Sequence, residues 1–155
     1  MRKQIVNHSS QQGSSADQNW LDLELRARVE LTSEDAANPI EAALTAGAGW
    51  RATEPGEQTI RILFDEPQQI RRIHLQFREE EQGRTQEFVL RWSADGGQSY
   101  REIVRQQYHF SPPDTTDEVE EYAVELEGVT ALELRIVPDI SGGESRASLA
   151  QLRLA

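Results

Sequence analysis

Thr59-Ile-Arg-Ile-Leu-Phe64 is the stretch on which the fold turns. A strand through it places Ile60, Ile62 and Phe64 on one face, because successive side chains of an extended chain point to opposite sides. The same period of two returns in Ile73/Leu75/Phe77, Phe88/Leu90/Trp92 and Leu132/Leu134/Ile136. Upstream, Leu21, Leu23, Leu25, Ala27, Val29 and Leu31 alternate with charged residues. Strands are therefore expected over 21–31, 59–64, 72–78, 87–93, 100–106, 121–126, 131–137 and 149–154. The only helical spacing is Ile40/Leu44 after Asn38-Pro39, which predicts a short turn of helix closed by Gly47-Ala-Gly49. With no long amphipathic helix to carry crossovers, the strands must be mainly antiparallel. The expectation is an all-β antiparallel sandwich of about eight strands.

The 155 residues suit a single core. Residues 1–19 are rich in Gln, Ser and Asn and carry few apolar side chains, so they are read as a flexible arm ahead of one domain over 20–155. There is no cysteine, which excludes disulfides, thiol nucleophiles and thiolate metal sites. The N-terminus lacks the apolar run of a secretory signal and no stretch approaches 18 apolar residues, so a cytoplasmic protein with no membrane insertion is expected. A net charge of -11 repels polyanions and argues against nucleic acid as partner.

In a mainly antiparallel sandwich, successive connections fall at alternate ends. Asp65–Gln69, Ala94–Gln98 and Glu127–Thr130 share one end and are short and rich in turn residues. Ser33–Gln58, Glu79–Gln86, Gln107–Glu120 and Asp139–Ser148 share the other and are long and chemically varied. Long connections in compact domains tend to carry function, so the second end is the candidate site.

The residues there suggest binding. Gln107-Tyr-His-Phe-Ser-Pro-Pro113 sets Tyr108, His109 and Phe110 in what reads as a proline-stiffened loop, where rings could stack and imidazole and amides could orient a ligand. These aromatics could equally anchor the loop on the core. Trp50, with Arg51 beside it, could form a stacking platform, or its indole could plug the end of the core, the commoner fate of a large aromatic. Arg78, Arg84 and Arg146 border three different loops at this end, and guanidinium groups converging there would suit a carboxylate, a phosphate or vicinal hydroxyls. Each could instead pair with Glu79, Glu80, Glu81 or Glu144. Trp92, in phase with Phe88 and Leu90, reads as core, and His74 as facing water. No nucleophile elbow, phosphate-cradling loop or His-Glu-x-x-His motif is present, so no catalytic residues are expected and the chain is read as a non-enzyme.

Several segments, in order, resemble the discoidin or coagulation-factor-5/8 type C family of galactose-binding-like jelly rolls. They are Ala36–Leu44 with Trp50, Gln58–Asp65 with Pro67 and Ile70, Phe88–Gly96 with its Ser93-Ala-Asp-Gly96, Leu132–Pro138, and Leu149–Leu154. The resemblance implies a jelly roll that binds at the loop end named above, most simply a carbohydrate-binding module, with a protein-docking module as the alternative. The partner is accordingly a glycan or a protein surface. The family's structural calcium is disfavoured, because Ala46-Gly47 and Gln151 stand where carboxylates are common in the family and calcium prefers six to eight oxygens. Neither a cofactor nor a metal ligand is assigned.

Overall fold

In the computed structural model the described residues are 20–155; the arm expected over 1–19 lies outside them. The elements in chain order are α1 (Leu23–Arg26), β1 (Ala27–Leu31), α2 (Glu41–Leu44), β2 (Trp50–Pro55), β3 (Gln58–Arg78), β4 (Arg84–Ser93), β5 (Arg101–Phe110), β6 (Asp117–Val137), β7 (Arg146–Leu149) and β8 (Gln151–Leu154). The fold is an antiparallel β-sandwich of the jelly-roll type, as the alternation requires.

The two 21-residue strands β3 and β6 build it. They pair antiparallel along their length, but their register slips between Leu63 and Arg72. Pro67 supplies no ladder donor there, and Gly128 opposite has φ +68°, so the ribbon bends. The half containing Gln58–Leu63 and Ala131–Ile136 lies with β1, β4 and β5; the half containing Arg72–Arg78 and Asp117–Ala123 lies with β8. Inward side chains of the two halves meet, as where Phe77 packs on Phe88 with ring centroids 5.1 Å apart. Ile60, Ile62, Leu90, Leu134 and Ile136 from one layer and Ile73, Leu75, Leu152 and Leu154 from the other are almost wholly buried. Each such side chain contributes about 1.5–3 kcal/mol of transfer free energy.

The expected connections at Asp65–Gln69 and Glu127–Thr130 are therefore bends inside continuous strands, not turns. The expected first strand begins six residues late. Asp22 accepts a hydrogen bond from the Leu25 N–H at 3.2 Å and caps one helical turn, which buries Leu23 and leaves Leu25 exposed. The last expected strand is split at Ala150 into β7 and β8, and β7 pairs with β2, a strand whose polar alternation gave little signal. β5 runs on to Phe110, so Tyr108, His109 and Phe110 lie in a strand and not in a loop.

On the outer face of the first layer Glu133 is buried between two arginines. Its carboxylate accepts from Arg61 Nε at 2.9 Å and from Arg91 Nη2 at 2.7 Å, tying β3, β6 and β4 together. Burial pushes this carboxyl up, but the two guanidinium groups outweigh it and hold it below its ordinary value. No helix among the described residues is long and apolar enough to cross a membrane.

Candidate functional site

The long connections meet at one end of the sandwich. Glu79 N–H donates to Thr116 O at 2.8 Å, Ile140 N–H to Thr85 O at 2.8 Å, and Gln82 Nε2 to Ser145 Oγ at 3.3 Å. Arg84 is the post that holds them. Its Nε donates to Glu79 Oε1 at 2.6 Å, its Nη1 to Pro138 O at 2.6 Å, and its guanidinium lies 4.8 Å from the Phe110 ring centroid. Glu79 in turn accepts from the backbone N–H groups of Glu81 and Gln82, which shapes the turn after β3. Burial alone would raise the Glu79 carboxyl; the Arg84 bond and the turn amides outweigh burial and lower it.

Beside this post lies a cleft of about 280 Å³. One wall is the β2–β7 ribbon, on which Arg51 pairs with Ser148 and Arg146 lies two residues along the same face. The other wall is the end of β3 and its turn, which contribute Arg78, Glu80 and Glu81. Asn38, Gly49 and Trp50 complete the lining. The end of the ribbon is closed by the close approach of Gly49 to the end of β7, where φ is +104° and a Cβ would stand 2.8 Å from Leu149 O and 3.0 Å from the Ala150 Cα. Trp50 fills the floor, 1% exposed, with its indole N–H donated to Ser33 O at 3.1 Å.

The cleft brings together three of the expected binding residues, Arg51, Arg78 and Arg146, over a fourth, Trp50. Arg78 is partly engaged, with Nε 3.0 Å from Asp117 Oδ1. Arg51 and Arg146 form no ion pair among the described residues. The other expected residues stand elsewhere. Arg84 is buried in the ion pair with Glu79, so it organises loops and presents no free guanidinium. Phe110 is fully buried beneath that guanidinium, and Tyr108 faces inward with its hydroxyl donated to Asp117 O at 3.0 Å. His109 points from the opposite face of β5, its Nδ1 2.8 Å from Thr85 Oγ1. The physical reason is the extra length of β5: alternation continues through these three residues and sends two rings into the core. Trp50 likewise takes the core role and cannot offer its face as a platform.

Sequence reasoning missed Asn38, Ser148, Glu80 and Glu81 as cleft residues. Glu80 and Glu81 appeared in the sequence only as possible partners of the arginines, and the turn that Glu79 organises places them along the cleft. No signal of periodicity or spacing singled out Asn38 or Ser148.

Among the described residues no three His, Cys, Asp or Glu side chains converge to hold a metal ion. The turn before β2 packs on the end of β7 through Gly49, whose N–H is donated to Ala42 O at 3.1 Å.

A jelly roll with a polar cleft among its end loops is thus what fold and site define. The F5/8 type C domain model matches residues 27–152, and the chain belongs to that family. No protein of curated function matches the sequence. Solved structures of the same fold include the family 32 carbohydrate-binding module of Clostridium perfringens NanJ in complex with galactose, at 12% identity and a TM-score of 0.66, covering 87% of this chain and 96% of that one. CpGH89CBM32-5 from Clostridium perfringens, in complex with GalNAc-β-1,3-galactose, is 17% identical with a TM-score of 0.66, covering 88% of this chain and 99% of that one. The family 32 module of AlyQ, in complex with 4,5-unsaturated mannuronic acid, is 15% identical with a TM-score of 0.63, covering 88% of this chain and 97% of that one.

Proposed function

We propose that the chain is a carbohydrate-binding module and that the cleft between the β2–β7 ribbon and the Arg78–Glu81 turn is its sugar site. The observation that carries this reading is the pair Arg51 and Arg146, two guanidinium groups on one face of a rigid ribbon with no ion-pair partner among the described residues, opposite the carboxylates of Glu80 and Glu81. Vicinal hydroxyls are both donors and acceptors, so planar donors facing planar acceptors across a narrow cleft suit them. A fully anionic ligand is matched less well, because the same cleft carries carboxylates. The sugars bound by three structural neighbours support the ligand class.

Binding here proceeds without turnover. General acid chemistry on a glycoside needs one carboxyl held protonated beside a second, ionised one. Glu80 and Glu81 are both exposed to water, and Glu79 is locked to Arg84. The carboxyl pushed well up, Glu118, is buried away from the cleft.

A glycan array probed with the full chain tests the reading. Selective retention on a set of related glycans is expected, with retention on that set clearly weakened in the Arg51→Ala/Arg146→Ala double variant at an unchanged melting temperature. An array left blank by the intact chain sinks the proposal.

A further inference from the structure

The structure assigns a second sugar-binding surface to Trp92, at the opposite end of the sandwich from the cleft. In phase with Phe88 and Leu90, Trp92 faces between the two layers, yet it remains only partly buried. β5 slips register just here, between Leu90 and Arg91, and Val124, Glu125 and Glu127 of β6 border the same depression as the indole. The ring consequently borders two open depressions at once. One, of about 780 Å³, is framed by Gln69, Arg71, Val124, Glu125 and Glu127; the other, of about 210 Å³, by Asp95, Ser99 and Arg101.

The chemistry around the ring is that of a neutral sugar subsite. A pyranose lays its apolar C–H face on an indole while its rim of hydroxyls seeks planar donors and acceptors. Here the rim is supplied by two guanidinium groups, three carboxylates and an amide. Arg71, Arg101 and Glu125 form no ion pair among the described residues, and Glu127 has only a long 3.4 Å bond from Gln69. Two positive charges against three negative ones leave the surface slightly acidic, which favours a neutral ligand over an anion. The indole face is also loosely covered: Arg101 sits 5.9 Å from its centroid, against 4.4 Å for Arg72 over Trp20 and 4.8 Å for Arg84 over Phe110. The cleft and this surface are separated along β3 by the run from Arg71 to Arg78, roughly 23 Å at 3.3 Å per residue, so one sugar cannot span both.

This inference shares a ligand class with the cleft but no residue. The test titrates the full chain with galactose, GalNAc-β-1,3-galactose and a neutral galacto-oligosaccharide, reading tryptophan emission and calorimetric stoichiometry. Three variants accompany it: Trp92→Phe, which keeps an aromatic in the layer, Arg101→Ala on the exposed rim, and Arg51→Ala/Arg146→Ala in the cleft. Expected are a sugar-dependent emission shift that survives in the cleft variant, disappears in Trp92→Phe, and needs at least fivefold more sugar in Arg101→Ala. The inference is overturned if the cleft variant abolishes all binding and all emission change, if Trp92→Phe and Arg101→Ala bind like the parent, or if no sugar in the set moves the emission of the intact chain. Binding that is lost in Trp92→Phe but unaffected in the cleft variant upholds this surface and removes the cleft.

Discussion

Glu118 shows how one side chain sets the pH response of this fold. It is buried between the layers, accepts a 3.2 Å bond from Gln86 Nε2 at one oxygen and has no partner for the other, Oε2. Desolvation, reinforced by its neighbour Glu120, pushes its carboxyl up to about 8. The folded state therefore keeps a proton that the unfolded chain releases near the ordinary value of 4.5. Stability from this group is fully present below that value and falls as pH rises toward 8. Glu118→Gln, which imitates the protonated acid, is expected to raise stability at pH 8 by about 1–3 kcal/mol and to leave it nearly unchanged at pH 4.5, as read by urea denaturation at both pH values. Equal effects at the two pH values would refute this account. Arg84 behaves oppositely: Arg84→Ala strands the largely buried Glu79 and is expected to cost about 3–5 kcal/mol. Arg84→Lys should rescue only part of that loss, since a point charge cannot serve Glu79, Pro138 O and the Phe110 face together.

At the scale of elements, what the sequence could show depended on whether a strand had one wet face. Ile60/Ile62/Phe64 and Leu132/Leu134/Ile136 alternate because one side of their layer meets solvent, and both were legible as strands. β2 and β7 carry short polar stretches with little apolar content, and their pairing depends on Gly49 approaching Leu149 and Ala150, a contact distant in sequence. The cleft was correspondingly half legible: the arginines stood out by charge, while Asn38 and Ser148 had no pattern to mark them. The error over Tyr108–Phe110 has a similar origin, because Pro112-Pro113 suggested a loop and the chain stays extended right up to Ser111. Gly49→Ala tests the role of the ribbon. A Cβ would meet Leu149 O at 2.8 Å at a φ of +104°, so a loss of about 2–3 kcal/mol in thermal or urea unfolding is expected. Weakened sugar binding should accompany it, because Arg51 and Arg146 ride on the same ribbon; an unchanged melting temperature would show that the contact is slack.

For the whole molecule, the bent β3–β6 ribbon separates the two ends. It gathers the variable connections and the Arg84 post at one end, and leaves Trp92 half open at the other. The overall charge is -11, and eight of the fourteen arginines among the described residues are held in ion pairs; Arg51 and Arg146 are among those that are not, and they share the cleft. The most direct measurement is isothermal titration of the full chain with the strongest glycan from the array, repeated for Arg51→Ala/Arg146→Ala. The account predicts saturable binding by the parent and at least tenfold weaker binding at the cleft in the variant, about 1.4 kcal/mol or more, with the melting temperature preserved. A variant that binds as tightly, with the same stoichiometry as the parent, would contradict it.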